Sequence, residues 1–74
     1  MRLDTMKDNW GIYENDPEEV LRYGFHYTLL TPIQTQQESN LGRAFSPADS
    51  YLKCANKRVA IDLIDLMQER GYYL

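Results

Sequence analysis

Apolar residues recur at helical spacing mainly in the second half of the chain. When this half is projected at about 100° per residue, six of its apolar side chains fall on one stripe: Ala48, Leu52, Ala55, Val59, Leu63 and Leu66. Ser46 followed by Pro47 is a typical helix start, and Gly71 supplies a natural stop. The pattern therefore predicts one long C-terminal helix over about residues 47–70.

The first half of the chain carries one helix start signal, followed by an alternation of apolar and polar residues that is typical of a strand. Asn15 or Asp16 can cap the orphan amide groups of a helix, and Pro17 suits its first turn. We therefore predict a helix over about residues 17–30. The segment YGFHYTLL nevertheless alternates apolar and polar residues, which is the period of a strand. A short strand at residues 24–31 is the alternative.

The remaining segments show no clear period. Residues 1–9 are polar and are expected to be frayed. Residues 31–46 are expected to form a long loop, a length that is unusual in a compact domain and often marks a functional segment. The predicted fold is thus mainly α, a small helical hairpin-like single domain over residues 1–74. The alternative is an α+β fold that contains the short strand.

The predicted long helix carries more apolar surface than one stripe requires. Ile61, Ile64 and Met67 lie outside the main stripe, and a helix that is apolar on most of its circumference must be covered on several sides. One short partner helix is too small for this. These three residues, together with Tyr72 and Tyr73, are therefore the predicted site of partner binding or dimerisation.

Three carboxylates interrupt this apolar surface. Asp62, Asp65 and Glu69 follow one another at a spacing of three and four, so their side chains share one side of a helix. A divalent cation or an acid–base pair would need further ligands from another segment, and the sequence shows no such segment. We therefore predict no metal site here. We interpret the three residues as an acidic strip at the solvent-exposed edge of the helix, which could bind a basic partner.

Composition and charge narrow the class of protein. The single cysteine, Cys54, cannot form a disulfide within the chain and fits a reducing compartment. No apolar run approaches the roughly 18 residues that a membrane helix needs. The sequence therefore favours a cytoplasmic protein without membrane association. Nine aromatic residues among 74 argue for a folded domain rather than a disordered tail.

Positive charge is concentrated near the start of the predicted long helix, although the formal net charge is −3. Such a cluster could contact phosphates, and binding would then depend on salt. It consists of Arg43, Lys53, Lys57 and Arg58.

The chain carries no family motif and no catalytic set, so no cofactor is predicted. In size it resembles small accessory or phage-type regulatory proteins in general. The leading hypothesis is a non-enzymatic regulatory protein, a modulator or inhibitor, that binds a protein partner through the apolar helix face and the acidic strip. A homodimer is expected on the same grounds. The alternative is a nucleic-acid-binding regulator that uses the basic cluster.

Overall fold

The computed structural model describes residues 1–71, which form an antiparallel sheet with helices on both faces. The strands follow the order β1-β2-β3-β4 across the sheet. The elements in chain order are β1 (Arg2–Lys7), β2 (Trp10–Glu14), α1 (Pro17–Tyr23), β3 (Tyr27–Leu30), α2 (Pro32–Leu41), a short 3₁₀ helix (Pro47–Asp49), β4 (Leu52–Cys54) and α3 (Lys57–Glu69).

The predicted mainly α fold is therefore wrong, and the α+β alternative fits better. The description of the chain as helical is wrong for the same reason. Within residues 1–71, no helix combines the length and the apolar character that a membrane span requires.

The N-terminal segment, expected to be frayed, forms the first hairpin. β1 pairs with β2 in antiparallel register, with Lys7 opposite Trp10. Asp8 and Asn9 between them have φ angles of 50° and 70°, as a tight two-residue hairpin turn requires. Asp4 lies at a bulge in the pairing. The prediction failed because β1 is an edge strand. Its residues are mostly polar or charged, so the sequence shows no apolar face that would indicate a strand.

The helix expected over residues 17–30 ends early. Asp16 caps it by accepting from the Glu19 amide, as the start signal indicates. Gly24 ends it in the left-handed conformation with φ of 87°, which glycine adopts at little cost. The chain then enters β3, which pairs antiparallel with β2. The period-two alternation of YGFHYTLL thus marks a strand. Its partner is β2, and α1 connects the two strands along the chain.

The expected loop at residues 31–46 contains a helix. Thr31 accepts from the Gln34 amide, and the Gln34 side chain accepts from the Thr31 amide, which is a capping box. Pro32 occupies the first turn, and Gly42, with φ of 64°, ends the helix. Because α2 is polar almost all round, it has no helical period of apolar residues, and the periodicity argument missed it.

The helix expected over residues 47–70 is divided into three elements. The 3₁₀ helix lasts a single turn, and β4 then pairs with β3, with Cys54 opposite Tyr27. Asn56 starts α3 by accepting from the Val59 amide. The apolar residues that seemed to continue one helical stripe therefore belong to a strand and a later helix, because tertiary pairing outweighs local propensity.

The sheet has a different layer on each face. On one face, α3 covers a core of buried residues: Trp10, Ile12, Leu29, Cys54, Ala60 and Ile64. Side chains of a strand alternate between faces, so Gly11, Tyr13 and Leu30 point to the other face, where α2 packs against β2 and β3. The small chain thus has two thin layers of packing around one sheet.

Candidate protein-interaction surfaces

The residues predicted to bind a partner through α3 lie mostly inside the domain. Ile64 is fully buried in the core, and Ile61 and Met67 are partly buried against it. The sheet, which the sequence analysis did not predict, covers Ile64 completely and Ile61 and Met67 in part. Tyr72 and Tyr73 lie outside the described residues.

The predicted acidic strip is exposed, but two of its members are in ion pairs. Asp62 accepts from Arg58 one turn earlier at 3.3 Å, and Asp65 pairs with Lys7 of β1. Glu69 makes no ion pair within residues 1–71. In the same part of the chain, no three His, Cys, Asp or Glu side chains are placed to hold a metal ion. Of the three residues, Asp65 therefore joins α3 to β1, and Asp62 is paired within α3 itself.

The predicted basic cluster is spread over two faces of the sheet. Lys57 lies on α3 and contacts Asp4 at 3.1 Å, and this hydrogen bond holds the pKa of the Asp4 carboxyl below its ordinary value. Lys53 alternates with the buried Cys54 and so points to the opposite face, where its Nζ lies 5.8 Å from the Phe25 ring centroid. Arg43 stacks on a neighbouring aromatic ring. These side chains do not form one continuous patch.

An open depression of about 720 Å³ lies beside α1 and brings several polar groups together. Those groups already serve the fold. Asn15 donates to the Phe25 carbonyl at 3.0 Å and accepts from Thr28 at 2.7 Å. Glu14 accepts from Arg2 at 2.9 Å. These polar groups stabilise the strand ends.

Cys54 is a structural thiol. It is fully buried in the core, its Sγ lies 3.7 Å from the Leu52 carbonyl oxygen, and burial raises the pKa of the thiol. A raised pKa lowers the thiolate fraction and therefore the reactivity of the cysteine.

The most exposed apolar surface outside α1 lies on α2, a helix that the sequence analysis missed. Ile33 is 56% exposed and Leu41 is 76% exposed, and Met6 of β1 beside them is 51% exposed. Ile33 and Leu41 line a shallow groove of about 270 Å³, and Met6 and Ile33 line a second groove of about 440 Å³ between β1 and α2. We name this surface the α2 face; it comprises Met6, Ile33, Gln36, Gln37, Asn40 and Leu41.

The α2 face carries no charge. Glu38 is the only charged residue among the ten of α2, and it points to the sheet, where its Oε1 accepts a hydrogen bond of 2.5 Å from the Tyr13 hydroxyl. Amide side chains fill the space between Ile33 and Leu41. In a chain with 26% charged residues, an exposed helix side built only from apolar and amide groups is a distinct surface.

The α2 face rests on a rigid support. Gly11 allows α2 to approach the sheet closely, since a Cβ at this position would lie 3.0 Å from Thr35 Oγ1 and 2.6 Å from the Tyr13 ring. Thr35 is buried and donates to the Thr31 carbonyl at 2.8 Å. The helix is therefore fixed to the sheet from below, while its outer side stays open to solvent.

Three signals in the sequence could have revealed this surface. Thr31, Pro32 and Gln34 have the spacing of a capping box with proline in the first turn, and Gly42 marks a helix end. Together they bound a helix of about ten residues. The presence of only one charged residue, Glu38, among those ten would then have been visible from composition alone.

Comparison with known proteins gave no relative: no protein-family model, no curated protein and no solved structure matches the chain.

Proposed function

We propose that this chain is a small non-enzymatic regulatory protein of the cytoplasm that acts by binding a protein partner on the α2 face. The observation that carries the proposal is an exposed, uncharged helix side on a rigid support. The proposal keeps the kind of function that the sequence favours and moves the docking surface from α3 to α2.

The composition of the α2 face supports protein binding. The cores of protein–protein interfaces are depleted of charged residues, because each buried charge must be desolvated. Here desolvation would affect only Met6, Ile33, Leu41 and a few amides. Amides can exchange hydrogen bonds with water for hydrogen bonds with a partner at little net cost.

Rigidity also supports the proposal. A partner that binds a preformed surface does not have to order it, so less of the interaction energy is lost on binding. α2 is capped at both ends and is tied to the sheet by the hydrogen bond from Tyr13 to Glu38.

The other parts of the proposal rest on particular groups. The polar groups beside α1 stabilise strand ends, which supports a role without chemistry. The buried, unpaired thiol of Cys54 suits a reducing compartment such as the cytoplasm. Nucleic-acid binding, the alternative from the sequence, has weaker support, because Lys53 lies on the sheet face opposite α3.

Site-specific photo-crosslinking tests this function in cells that express the protein. A photoreactive amino acid is placed at Leu41 and, as a matched control, at Leu21, which is 88% exposed on α1. We expect a covalent adduct from position 41 that is absent from position 21 and is lost when Ile33→Glu is added. Equal adducts from both positions, or none from position 41, would contradict the proposal.

A further inference from the structure

We propose that the Arg43–Ala44 peptide bond is a site of limited proteolysis for endoproteases that cleave after arginine, and that the cut chain stays folded as a complex of its two fragments. The bond lies in the segment of residues 42–46, between the end of α2 and the start of the 3₁₀ helix. This segment lies outside the α2 face, so cleavage and partner binding can be tested separately.

The backbone around this bond is accessible. Gly42, Arg43 and Ala44 are all exposed. Within residues 1–71, no hydrogen bond between backbone groups holds Ala44 or Phe45. Exposed connecting segments with few hydrogen bonds open at little cost in free energy, and they are the preferred sites of proteolytic cleavage. A protease can therefore bind this segment without unfolding a helix or a strand.

The neighbours of Arg43 allow the segment to become extended, which is the form in which a peptide pairs with the backbone of a binding cleft. Gly42 has a φ of 64° and must leave the left-handed region to do so. Glycine populates φ angles of either sign about equally, so this change costs little. Ala44, on the other side of the bond, has a small side chain. Neither neighbour therefore obstructs the approach of a protease.

The Arg43 side chain is accessible to a specificity pocket. Proteases that cleave after arginine hold the guanidinium group by a carboxylate in such a pocket. Within residues 1–71, Arg43 makes no ion pair. Its guanidinium carbon lies 5.1 Å from the centroid of the Phe45 ring. A cation–π contact at an exposed site is weak, so the side chain can exchange the ring for a carboxylate.

The other basic residues are protected by regular structure or lie near the chain end. Arg70 follows α3 directly, and a cut there removes only the last four residues. A cut inside a helix or a strand requires several residues to unfold together, which is a rarer event than the opening of a loop. Arg43 is therefore the basic residue at which an internal cut needs the least unfolding. The basic residues inside strands or helices are Arg2, Lys7, Arg22, Lys53, Lys57 and Arg58.

Contacts away from the loop hold the two fragments together. β4, which follows the cut, pairs with β3, which precedes it. The Tyr51 amide donates to the Leu29 carbonyl at 2.7 Å. Ile64 of α3 is fully buried in the same core as Leu29. These contacts join residues 1–43 to residues 44–71 without help from the loop, so the cut chain should remain one complex.

The reaction is hydrolysis and consumes one water molecule from the solvent. The C–N bond between Arg43 and Ala44 breaks. The carbonyl carbon of Arg43 gains the water oxygen and becomes a carboxylate, and the nitrogen of Ala44 gains the protons and becomes an ammonium group. After the cut, the two fragments associate as separate molecules, so the stability of the domain becomes dependent on protein concentration.

Limited digestion of the full chain with trypsin, followed over time by intact-mass spectrometry, tests the site. We expect the first internal cut after Arg43, which gives fragments of residues 1–43 and 44–74, with or without the last four residues. Cuts inside helices and strands should be at least about tenfold slower. Arg43→Gln should slow internal cleavage at least about tenfold. The matched control, Arg22→Gln at an exposed position of α1, should be cut like the natural chain.

Size-exclusion chromatography with light scattering tests whether the fragments stay together. At a concentration on the order of 100 µM, we expect the cut chain to elute as one species with the mass of the uncut chain. Urea should separate this species into its two fragments. The two variants should unfold at the same urea concentration as the natural chain, so that slower cleavage of Arg43→Gln reports the site and not a change in stability.

Four results would overturn the proposal. The first is an initial internal cut at a bond other than Arg43–Ala44, and the second is no internal cut at a trypsin concentration that cleaves the chain in urea. The third is an Arg43→Gln chain that is cut as fast as the natural one. The fourth is a cut chain whose fragments elute separately without urea.

Discussion

Replacing Tyr13 by phenylalanine removes the hydrogen bond that ties α2 to the sheet. The Tyr13 ring is 5% exposed, and its hydroxyl donates to Glu38 Oε1 at 2.5 Å. A hydrogen bond to a charged group contributes about 1.5–3 kcal/mol, and we take the lower value because Glu38 can turn toward water. Tyr13→Phe should therefore lower the free energy of unfolding at neutral pH by about 1.5 kcal/mol, or the melting temperature by roughly 6–12 °C.

The same substitution has a pH dependence with a defined sign. Burial, and then the hydrogen bond to Glu38 and its charge, raise the pKa of Tyr13 above the ordinary value of 10.0. Above pH 10 the unfolded chain releases this proton while the native chain keeps it. The natural protein therefore loses about 1.4 kcal/mol of stability per pH unit from this group, and the phenylalanine variant does not. The difference between the two proteins should therefore be about 1.5 kcal/mol at pH 8 and should shrink as the pH rises above 10.

Urea unfolding followed by the fluorescence of Trp10, the single tryptophan, measures both proteins at each pH. The other tyrosines are common to the two proteins, so their ionisation cancels in the difference. A free-energy difference that stays constant from pH 8 to pH 11 would refute the reasoning about the pKa of Tyr13. A variant as stable as the natural chain at pH 7 would refute the hydrogen bond.

Further predictions concern the core, the helix contact and the basic residues. Ile64→Ala should cost about 2–5 kcal/mol in urea unfolding because Ile64 is fully buried, whereas Leu66→Ala, 41% exposed, should cost less than about 1 kcal/mol; equal costs would place Ile64 at the surface. Gly11→Ala should cost about 1–3 kcal/mol by overpacking against Tyr13 and against Thr35 of α2, and a neutral result in the same assay would contradict the tight packing around Gly11. Fluorescence anisotropy with duplex DNA at low salt should show no saturable binding, and binding that is lost on Lys53→Glu would instead favour the nucleic-acid alternative.

Local signals in the sequence predicted where elements begin better than how far they extend. Asp16, one of the two expected caps, starts α1 together with Pro17. Ser46 and Pro47, expected to begin a long helix, begin only a short 3₁₀ helix. The turn after Pro47 stops at Asp49 because the following residues pair with β3. Capping depends on a few neighbouring residues, whereas the end of an element depends on contacts with distant ones.

The apolar residues near the C-terminus show how a buried helix face can resemble a docking surface. Ile61, Ile64 and Met67 are apolar because α3 covers a sheet, and the sheet was not predicted since β1 and β4 are short or polar edge strands. When the sheet is not predicted, the apolar residues that it covers are mistaken for an exposed docking surface. The α2 face shows the converse, because a helix with almost no apolar period on its surface leaves no mark in a periodicity analysis.

The most direct test of the account is whether a partner protein contacts the chain at α2 or at α3. Photo-crosslinking in cells compares a photoreactive amino acid at Leu41 of α2 with one at Leu66 of α3, which is 41% exposed. We predict a protein adduct from position 41 and none from position 66. An adduct from position 66 alone would contradict the assignment of the α2 face as the docking surface.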